Sequence, residues 1–369
     1  MECATEGAAR NDFDEYEASI CSHPSGERAW EVKEVWLQPL LWAQDGAAAA
    51  KERDHTAALA ASEGALWFHC EQAQAAANFF HENGFVILVD AVRDEALREL
   101  QLASAELIRR AVRVKPSGNR GPCRYSFHRT TMVRQCLGPV DNETVCKVLS
   151  KVWASADFSV QCTGGDCSLP GAGPQGMHSD IGQRHKVNEY FDYHDPENPD
   201  LNFCDLPTPV VKVYLTMVGF DERTGPPLFV PGSHRRYLRE DVPLDDPEGS
   251  VRAFCPAGSA IIMDMRVWHR GTANVSDIAR PMLSVHYAGP WYRESMLKQS
   301  SMYWEYHRGA LSHGRLAGLR PRAQELCKHL VLGLCAECGR SGCGSRRGTG
   351  RFKDQWYCRH CWAEWSRDS

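Results

Sequence analysis

The sequence predicts a mainly β protein, a core of two packed sheets with flanking helices, followed by a small C-terminal zinc module. Between about residues 120 and 290, glycine and proline punctuate short apolar segments: Phe158 to Gln161, Val210 to Val218, Leu228 to Val230, Ala260 to Met263 and Met282 to Tyr287. Such spacing suits a double-sheet core better than alternating βαβ units. Helix-period segments lie ahead of this stretch, and two Cys-x-x-Cys hooks lie beyond it. One β domain of about 200–250 residues plus appendages accounts for the length of 369.

Residues 1–70 read as a helical and irregular extension, with an acidic head, tryptophans at 30, 36 and 42, and an alanine-rich stretch from Ala47 to Ala61 of strong helix propensity. The tryptophans are expected to pack on the core. From residue 71 to 290 the main domain is expected. Ala75, Ala76, Phe79 and Phe80 share one helical face, Asn83-Gly84 can end that helix, and Phe85 to Val89 is a short, β-branched, buried-strand run. Asp94, Leu97, Leu100, Leu102, Ala105, Leu107 and Ile108 sustain a second amphipathic helix to about Val112. The loop Pro196 to Pro207 is either a substrate-shaping lid or a solvated connector. Residues 291–331 form a helical connector, residues 332–369 the cysteine module, and no internal repeat is present.

Apolar content of 43% and charged content of 24% are those of a soluble globular chain, and a formal net charge of −5 argues against coating nucleic acid or anionic membrane over the whole surface. The start lacks signal-peptide and transit-peptide character and no apolar run is long enough to cross a bilayer, so a cytoplasmic location is expected. Sixteen cysteines without a secretory signal, five of them between 335 and 361, fit a reducing compartment.

The chemistry concentrates in His178-Ser-Asp180 and His269, with Arg280 eleven positions after the last of these. His178 and Asp180 share a side only if the segment is extended, because residues i and i+2 line one face of a strand. Gly171, Gly173, Pro174 and Gly176 permit the turn into that conformation, and the strand-like run from Ala260 to Trp268 can deliver His269 from the opposite sheet. Two histidines and a carboxylate on one face of a metal leave three coordination positions open, the arrangement with which non-haem Fe(II) oxygenases hold a bidentate 2-oxo acid and dioxygen. His69-Cys-Glu71 has the same form but begins a helical pattern, where i and i+2 diverge by about 200°. His185 and His194 show no ligand spacing.

The ordered set Gln175-x-x-His178-x-Asp180, Gly225-Pro-Pro-Leu-Phe-Val-Pro-Gly-Ser-His234 and His269-x4-Asn274-x-Ser276-x3-Arg280 resembles the phytanoyl-CoA dioxygenase family of Fe(II)/2-oxoglutarate oxygenases. Phe79 to Asp90 resembles the opening helix and strand of that family, and the resemblance extends over residues 73–290. It implies a double-stranded β-helix (jelly-roll, cupin-like) core, Fe(II) held by His178, Asp180 and His269, and Arg280 clamping the far carboxylate of 2-oxoglutarate. A guanidinium suits that task because it presents two parallel donors and stays charged. Gln175 would offer an amide hydrogen bond to the co-substrate and Tyr214 would line its pocket. Asp180 argues for hydroxylation, since related halogenases carry a small residue there. The implied reaction hydroxylates a small-molecule or acyl, lipid-like substrate and releases succinate and CO2. Arg124-Tyr125 could reach the substrate or form a structural ion pair, and Pro231 to His234 reads as a site-shaping turn with His234 making structural hydrogen bonds.

Cys335, Cys338, Cys358 and Cys361 form two hooks separated by 19 residues, a spacing suited to a structural four-cysteine Zn(II) site, with Cys343 and His360 as spare donors. The glycine-rich segment between them cannot bury a core, so metal binding would supply most of the folding free energy. Arg340, Arg346, Arg347, Arg351, Lys353 and Arg359, interleaved with Trp356, Tyr357, Trp362 and Trp365, leave two readings open. One is a closed module docked on the domain; the other is a contact for an acidic protein or a nucleic acid. Two further functions therefore stand beside small-molecule hydroxylation: a zinc-module interaction protein with a silent oxygenase core, and an oxygenase acting on a protein or nucleic acid.

Overall fold

A computed structural model of the chain describes residues 33–41, 46–62, 64, 66–127, 138–181, 197, 201–236, 246–292, 311, 313–331, 337–338, 346–347, 356–357, 360–361 and 363. The readings placed on Trp30, Trp42, His185, His194, Cys335, Cys343 and Cys358, and on most of residues 182–200, fall outside these.

The alanine-rich stretch forms helix α1 (Gly46–Ser62), which is tied to the body by Glu52, whose carboxylate accepts from the Ala257 N–H at 3.1 Å, and by the Arg53–Asp90 ion pair. Strand β1 (Trp67–Phe68) runs parallel to β2 (Phe85–Leu88). Between them, helix α2 (Ala73–Asn83) buries Ala76, Ala77 and Phe80 and ends where expected. Gly84 closes it at φ 83° with its N–H on Phe80 O, and a Cβ there would lie 2.6 Å from His234 Nδ1. Only glycine meets both demands.

Helix α3 (Asp94–Val114) carries Asp94 and Glu95 in its first turn, where they complement the helix dipole, and buries Leu100, Ala105, Leu107, Ile108 and Val112. There follow β3 (Arg124–Ser126), helix α4 (Glu143–Val152), β4 (Ser159–Ser168), β5 (Val210–Thr216), β6 (Pro227–Phe229), β7 (Val251–Arg252), β8 (Ala260–Asp264), β9 (His269–Gly271) and β10 (Arg280–Ala288). Helix α5 (Pro321–Cys327) begins with proline at its first position, and a two-stranded hairpin, β11 (Arg346–Arg347) with β12 (Trp356–Tyr357), lies in the tail.

The strands form a seven-stranded sheet, β1-β2-β8-β5-β10-β4-β3, antiparallel except for β1 with β2, and a three-stranded antiparallel sheet, β7-β6-β9. The two meet where Phe85 of β2 stacks on Phe229 of β6, ring centroids 4.5 Å apart. On the outer face of the large sheet, Leu283, Val285 and Tyr287 of β10 join the apolar faces of α2, α3, α4 and α5 in one core. Each such side chain fully buried contributes about 1.5–3 kcal/mol.

The expectation of a mainly β chain needs correction. Helical residues outnumber strand residues among those described, so the architecture is mixed, with helices covering one face of a predominantly antiparallel β core. No described helix is long and apolar enough to cross a membrane.

The inner face has another character. Register places Lys212 opposite His286, Tyr214 opposite Ser284, and Arg280 opposite Ser168, so alternate residues of β4, β5 and β10 turn polar groups inward. Buried polar groups at this density are costly unless paired, which marks the sheet interior as a site.

Candidate active site

Segment 175–181 runs extended along β9 and widens the small sheet. Gln175 N donates to Gly271 O at 2.8 Å, His178 and His269 exchange both backbone hydrogen bonds at 3.0 and 2.8 Å, and Ile181 N donates to Met265 O at 3.0 Å. His178 and His269 are therefore cross-strand partners, their ring centroids 4.5 Å apart despite the 91 residues between them in sequence. Asp180, two residues along an extended backbone, falls on the same side as His178. Ligand atoms of His178, Asp180 and His269 all lie within 4.8 Å of one another, and among the described residues this is the single cluster of its kind.

The backbone also sets the tautomers. His178 Nδ1 lies 2.8 Å from Gly176 O and His269 Nδ1 lies 3.0 Å from Val267 O, so each ring donates through Nδ1 and turns the Nε2 lone pair toward Asp180. Nε2 stands 3.8 Å from the carboxylate for His178 and 4.0 Å for His269. Burial pushes the His269 imidazole down to about 4, against the opposing pull of Asp180, so it is neutral and available as a ligand at neutral pH. Burial would raise the Asp180 carboxyl, but the charges of Lys212, His269 and His178 outweigh it and hold Asp180 well below the usual carboxylate range. Two imidazoles that turn Nε2 inward and one ionised carboxylate can hold a divalent metal of the ferrous type.

Arg280 lines the same pocket as these three groups, along with Gln175 and Tyr214. Its side chain is 1% exposed, and Nη2 donates to Ser168 Oγ at 2.5 Å. Nε and Nη1 have no partner, leaving a buried guanidinium with donors to spare. Burial first, and the neighbouring charge of Arg124 second, lower its pKa to about 9, which keeps it cationic at working pH. An orphaned, buried fork of this kind fits a carboxylate ligand. Gln175 uses Oε1 to accept from Gly271 N at 3.0 Å, so its NH2 end is what it can present to a ligand. Tyr214 lines the pocket too, but its hydroxyl donates to Asp166 Oδ2 at 3.0 Å.

Arg124 lines the pocket and forms no ion pair among the described residues. Its guanidinium grips Gly173 O, Thr272 O and Ser168 Oγ, and so holds the loop that leads into the metal-ligand segment. Tyr125 donates to Pro116 O. The Pro231–His234 turn supports the site as expected: Ser233 Oγ accepts from Trp268 N at 2.8 Å, directly before His269. His234 packs against Gly84 and has a hydrogen bond with the His81 backbone, while its Nδ1 makes none. Asn274 Nδ2 donates to Ser168 O and Ile278 O, shaping the turn between β9 and β10. Of the loop 196–207, the described part from 201 is anchored, with Phe203 and Cys204 buried and Arg266 donating to Phe203 O and Leu206 O. In the tail, Cys338 is exposed on a turn and Cys361 is buried.

Two residues of the site escaped sequence reasoning. Lys212 Nζ sits 3.3 Å from Asp180 Oδ2 and 3.6 Å from Asp166 Oδ2, at 4% exposure. The available signal was a lysine inside the apolar run Val210-Val-Lys-Val-Tyr-Leu, a position that no buried strand gives to a cation without a partner.

The phytanoyl-CoA dioxygenase (PhyH) family matches residues 80–282, more than half of the chain and the whole span from β2 to Arg280. Dioxygenase af480 of Aspergillus fumigatus is 32% identical over 94 residues, 24% of this chain and 30% of its own length, so the chain matches less than a third of that relative. Among solved structures, the non-haem α-ketoglutarate-dependent epimerase SnoN from nogalamycin biosynthesis is similar at 14% identity over 59% of this chain and 83% of its own, with a TM-score of 0.43. AviO1 from Streptomyces viridochromogenes Tue57 is similar at 17% identity over 59% and 96%, with a TM-score of 0.44. With the match covering every group of the ordered motif from His178 to Arg280, the chain belongs to the phytanoyl-CoA dioxygenase family.

Proposed function

We propose that the protein is an Fe(II)- and 2-oxoglutarate-dependent dioxygenase that hydroxylates a small-molecule or acyl, lipid-like substrate and releases succinate and CO2. One observation carries this reading: the three converging ligand atoms share a pocket with a buried guanidinium that has two unused nitrogens. Family membership supports it. A ferrous ion held here would couple decarboxylation of the keto acid to oxidation of the substrate.

The chain's own residues supply geometry, charge and exclusion of water. His178, Asp180 and His269, whose ligand atoms lie within 4.8 Å of one another, would hold the metal. Arg280 fixes the orientation of the co-substrate through its distal carboxylate, Gln175 offers an amide donor, and Tyr214 forms a wall. The barrel core takes the double-stranded β-helix form, within residues 71–290, between an extension (1–70) and a connector (291–331).

Cys335, Cys338, Cys358 and Cys361 hold a structural zinc ion in residues 332–369. The β11–β12 hairpin between the two hooks supports this, since it would bring the ends of both hooks together. The second reading of the tail, contact with an acidic partner, rests on the six basic residues of the segment between Arg340 and Arg359.

The test is anaerobic titration with Fe(II) and 2-oxoglutarate, followed by a screen of metabolite extracts for substrate-stimulated succinate release, with His178→Ala as control. Iron-dependent succinate that disappears in the control is the expected result. Failure of the wild-type protein to bind Fe(II) overturns the proposal and leaves the interaction-protein reading. Deleting residues 332–369 should remove bound zinc and leave turnover intact; lost turnover with unchanged iron affinity assigns substrate delivery to the tail instead.

A further inference from the structure

Lys212 is a buried cation that the reaction described above does not use. It stands on β5 with its ammonium between two carboxylates, Asp180 and Asp166, and 4.6 Å from the centroid of the Tyr214 ring. Asp166 Oδ2 is itself held by the Tyr214 hydroxyl at 3.0 Å. The chain of contacts thus runs from Tyr214 through Asp166 and Lys212 to Oδ2 of Asp180.

Coordination arithmetic gives this chain a purpose. An octahedral ferrous ion offers six positions, and two imidazoles plus one carboxylate oxygen leave the three that a bidentate keto acid and dioxygen need. A carboxylate that chelates through both oxygens takes a fourth position, and the keto acid and dioxygen then compete for two. Asp180 is 9% exposed, and its carboxylate faces the pocket rather than open solvent. Lys212 Nζ stands 3.3 Å from Oδ2, which also lies 4.0 Å from His269 Nε2, while Oδ1 lies 3.8 Å from His178 Nε2; both oxygens border the imidazoles, and Lys212 is the cation that engages one of them.

We propose that Lys212 is a positioning residue that binds Oδ2 of Asp180 and so restricts Asp180 to one-oxygen metal ligation, with Asp166 and Tyr214 holding the lysine in place. This rests on the iron and 2-oxoglutarate reading of the site. A partner outside the ligand set that fixes a ligating side chain typically changes affinity or activity by about 10–100-fold when removed.

The experiment uses the full-length chain under anaerobic conditions and compares wild type, Lys212→Met and Lys212→Arg. Fe(II) affinity, 2-oxoglutarate affinity of the iron-loaded protein, and the visible charge-transfer absorption of the ternary complex are measured. Lys212→Met should bind Fe(II) at least as tightly as wild type, bind 2-oxoglutarate about tenfold more weakly, and lose or shift the charge-transfer band. Lys212→Arg, which retains charge and donor, should restore the band.

A purely structural lysine gives a different pattern: reduced thermal stability with unchanged 2-oxoglutarate affinity and an unchanged band, which overturns the proposal. If Lys212→Met does not fold, Lys212→Leu, which likewise removes the donor, is read by the same criteria; if that variant also fails to fold, the lysine is a folding residue and the proposal falls. Absence of Fe(II) or 2-oxoglutarate binding by wild type strikes the parent reading instead, and so separates the two failures.

Discussion

Arg280 owes its value to what it does not touch. One of its nitrogens is engaged by Ser168, and two others are buried without partners, an arrangement that costs stability unless a ligand completes it. A lysine at this position keeps the charge but loses the planar fork. Arg280→Lys should therefore raise the KM for 2-oxoglutarate by about 10–100-fold, the equivalent of one charged hydrogen bond of roughly 1.5–3 kcal/mol, and leave Fe(II) affinity unchanged. Steady-state succinate release against 2-oxoglutarate concentration, beside an anaerobic Fe(II) titration, checks both halves. An equal loss of iron affinity would mean that Arg280 shapes the metal ligands rather than the co-substrate.

Elements show which physical signals a sequence transmits. Helix α2 and strand β2 were legible because a period of 3.6 gives way to a β-branched run at Gly84, and β5, β6, β8, β10 and the first residues of β4 because apolar segments stand between glycine and proline; the rest of β4, to Ser168, is polar and glycine-containing and gave no such signal. Strands β1, β3, β7 and β9 are two or three residues long, too short for a period to register, and their existence depends on partners far away in sequence. The metal-ligand set was legible through its ordered motif. Lys212 and Asp166 were not, because their significance comes from meeting across the sheet rather than from spacing.

The same holds for Arg266, which follows β8 and binds Asp264 in a bidentate pair at 2.9 and 2.8 Å while also reaching the carbonyls of Phe203 and Leu206. Burial alone would raise the Asp264 carboxyl; the charge and hydrogen bonds of Arg266 hold it below the ordinary range. Arg266→Met leaves a fully buried carboxylate unpaired and should cost about 3–5 kcal/mol, read as a fall in the denaturant midpoint. The Arg266→Met/Asp264→Asn double variant should recover part of that loss. If the single variant is neutral, the pair does not anchor the 203–206 segment.

For the molecule as a whole, the interior histidines set the response to acid. Burial pushes both His234 and His269 down to about 4, and the charge of Arg266 adds to this for His234, while the unfolded chain titrates its histidines near 6.5. Below that value the unfolded state takes up protons that the folded state refuses, so stability is complete above about pH 6.5 and is lost as pH falls toward 4. Each histidine should contribute a loss of about 2 kcal/mol by pH 5. Asp180 and Asp264 act in a separate window: their carboxyls are held down in the folded state, so what they contribute is lost only below the ordinary carboxylate range. Denaturation of the metal-free protein between pH 7 and 5 therefore isolates the histidines. His234→Gln should lower this pH dependence by about 2 kcal/mol between pH 7 and 5 whatever its own cost in stability, because it removes one of the protons that only the unfolded chain can bind, while His269 and His81, which burial also pushes down, keep theirs. A wild-type stability that stays flat from pH 7 to 5 would show that both rings take up protons in place, and with it the neutral His269 on which metal ligation depends would be lost.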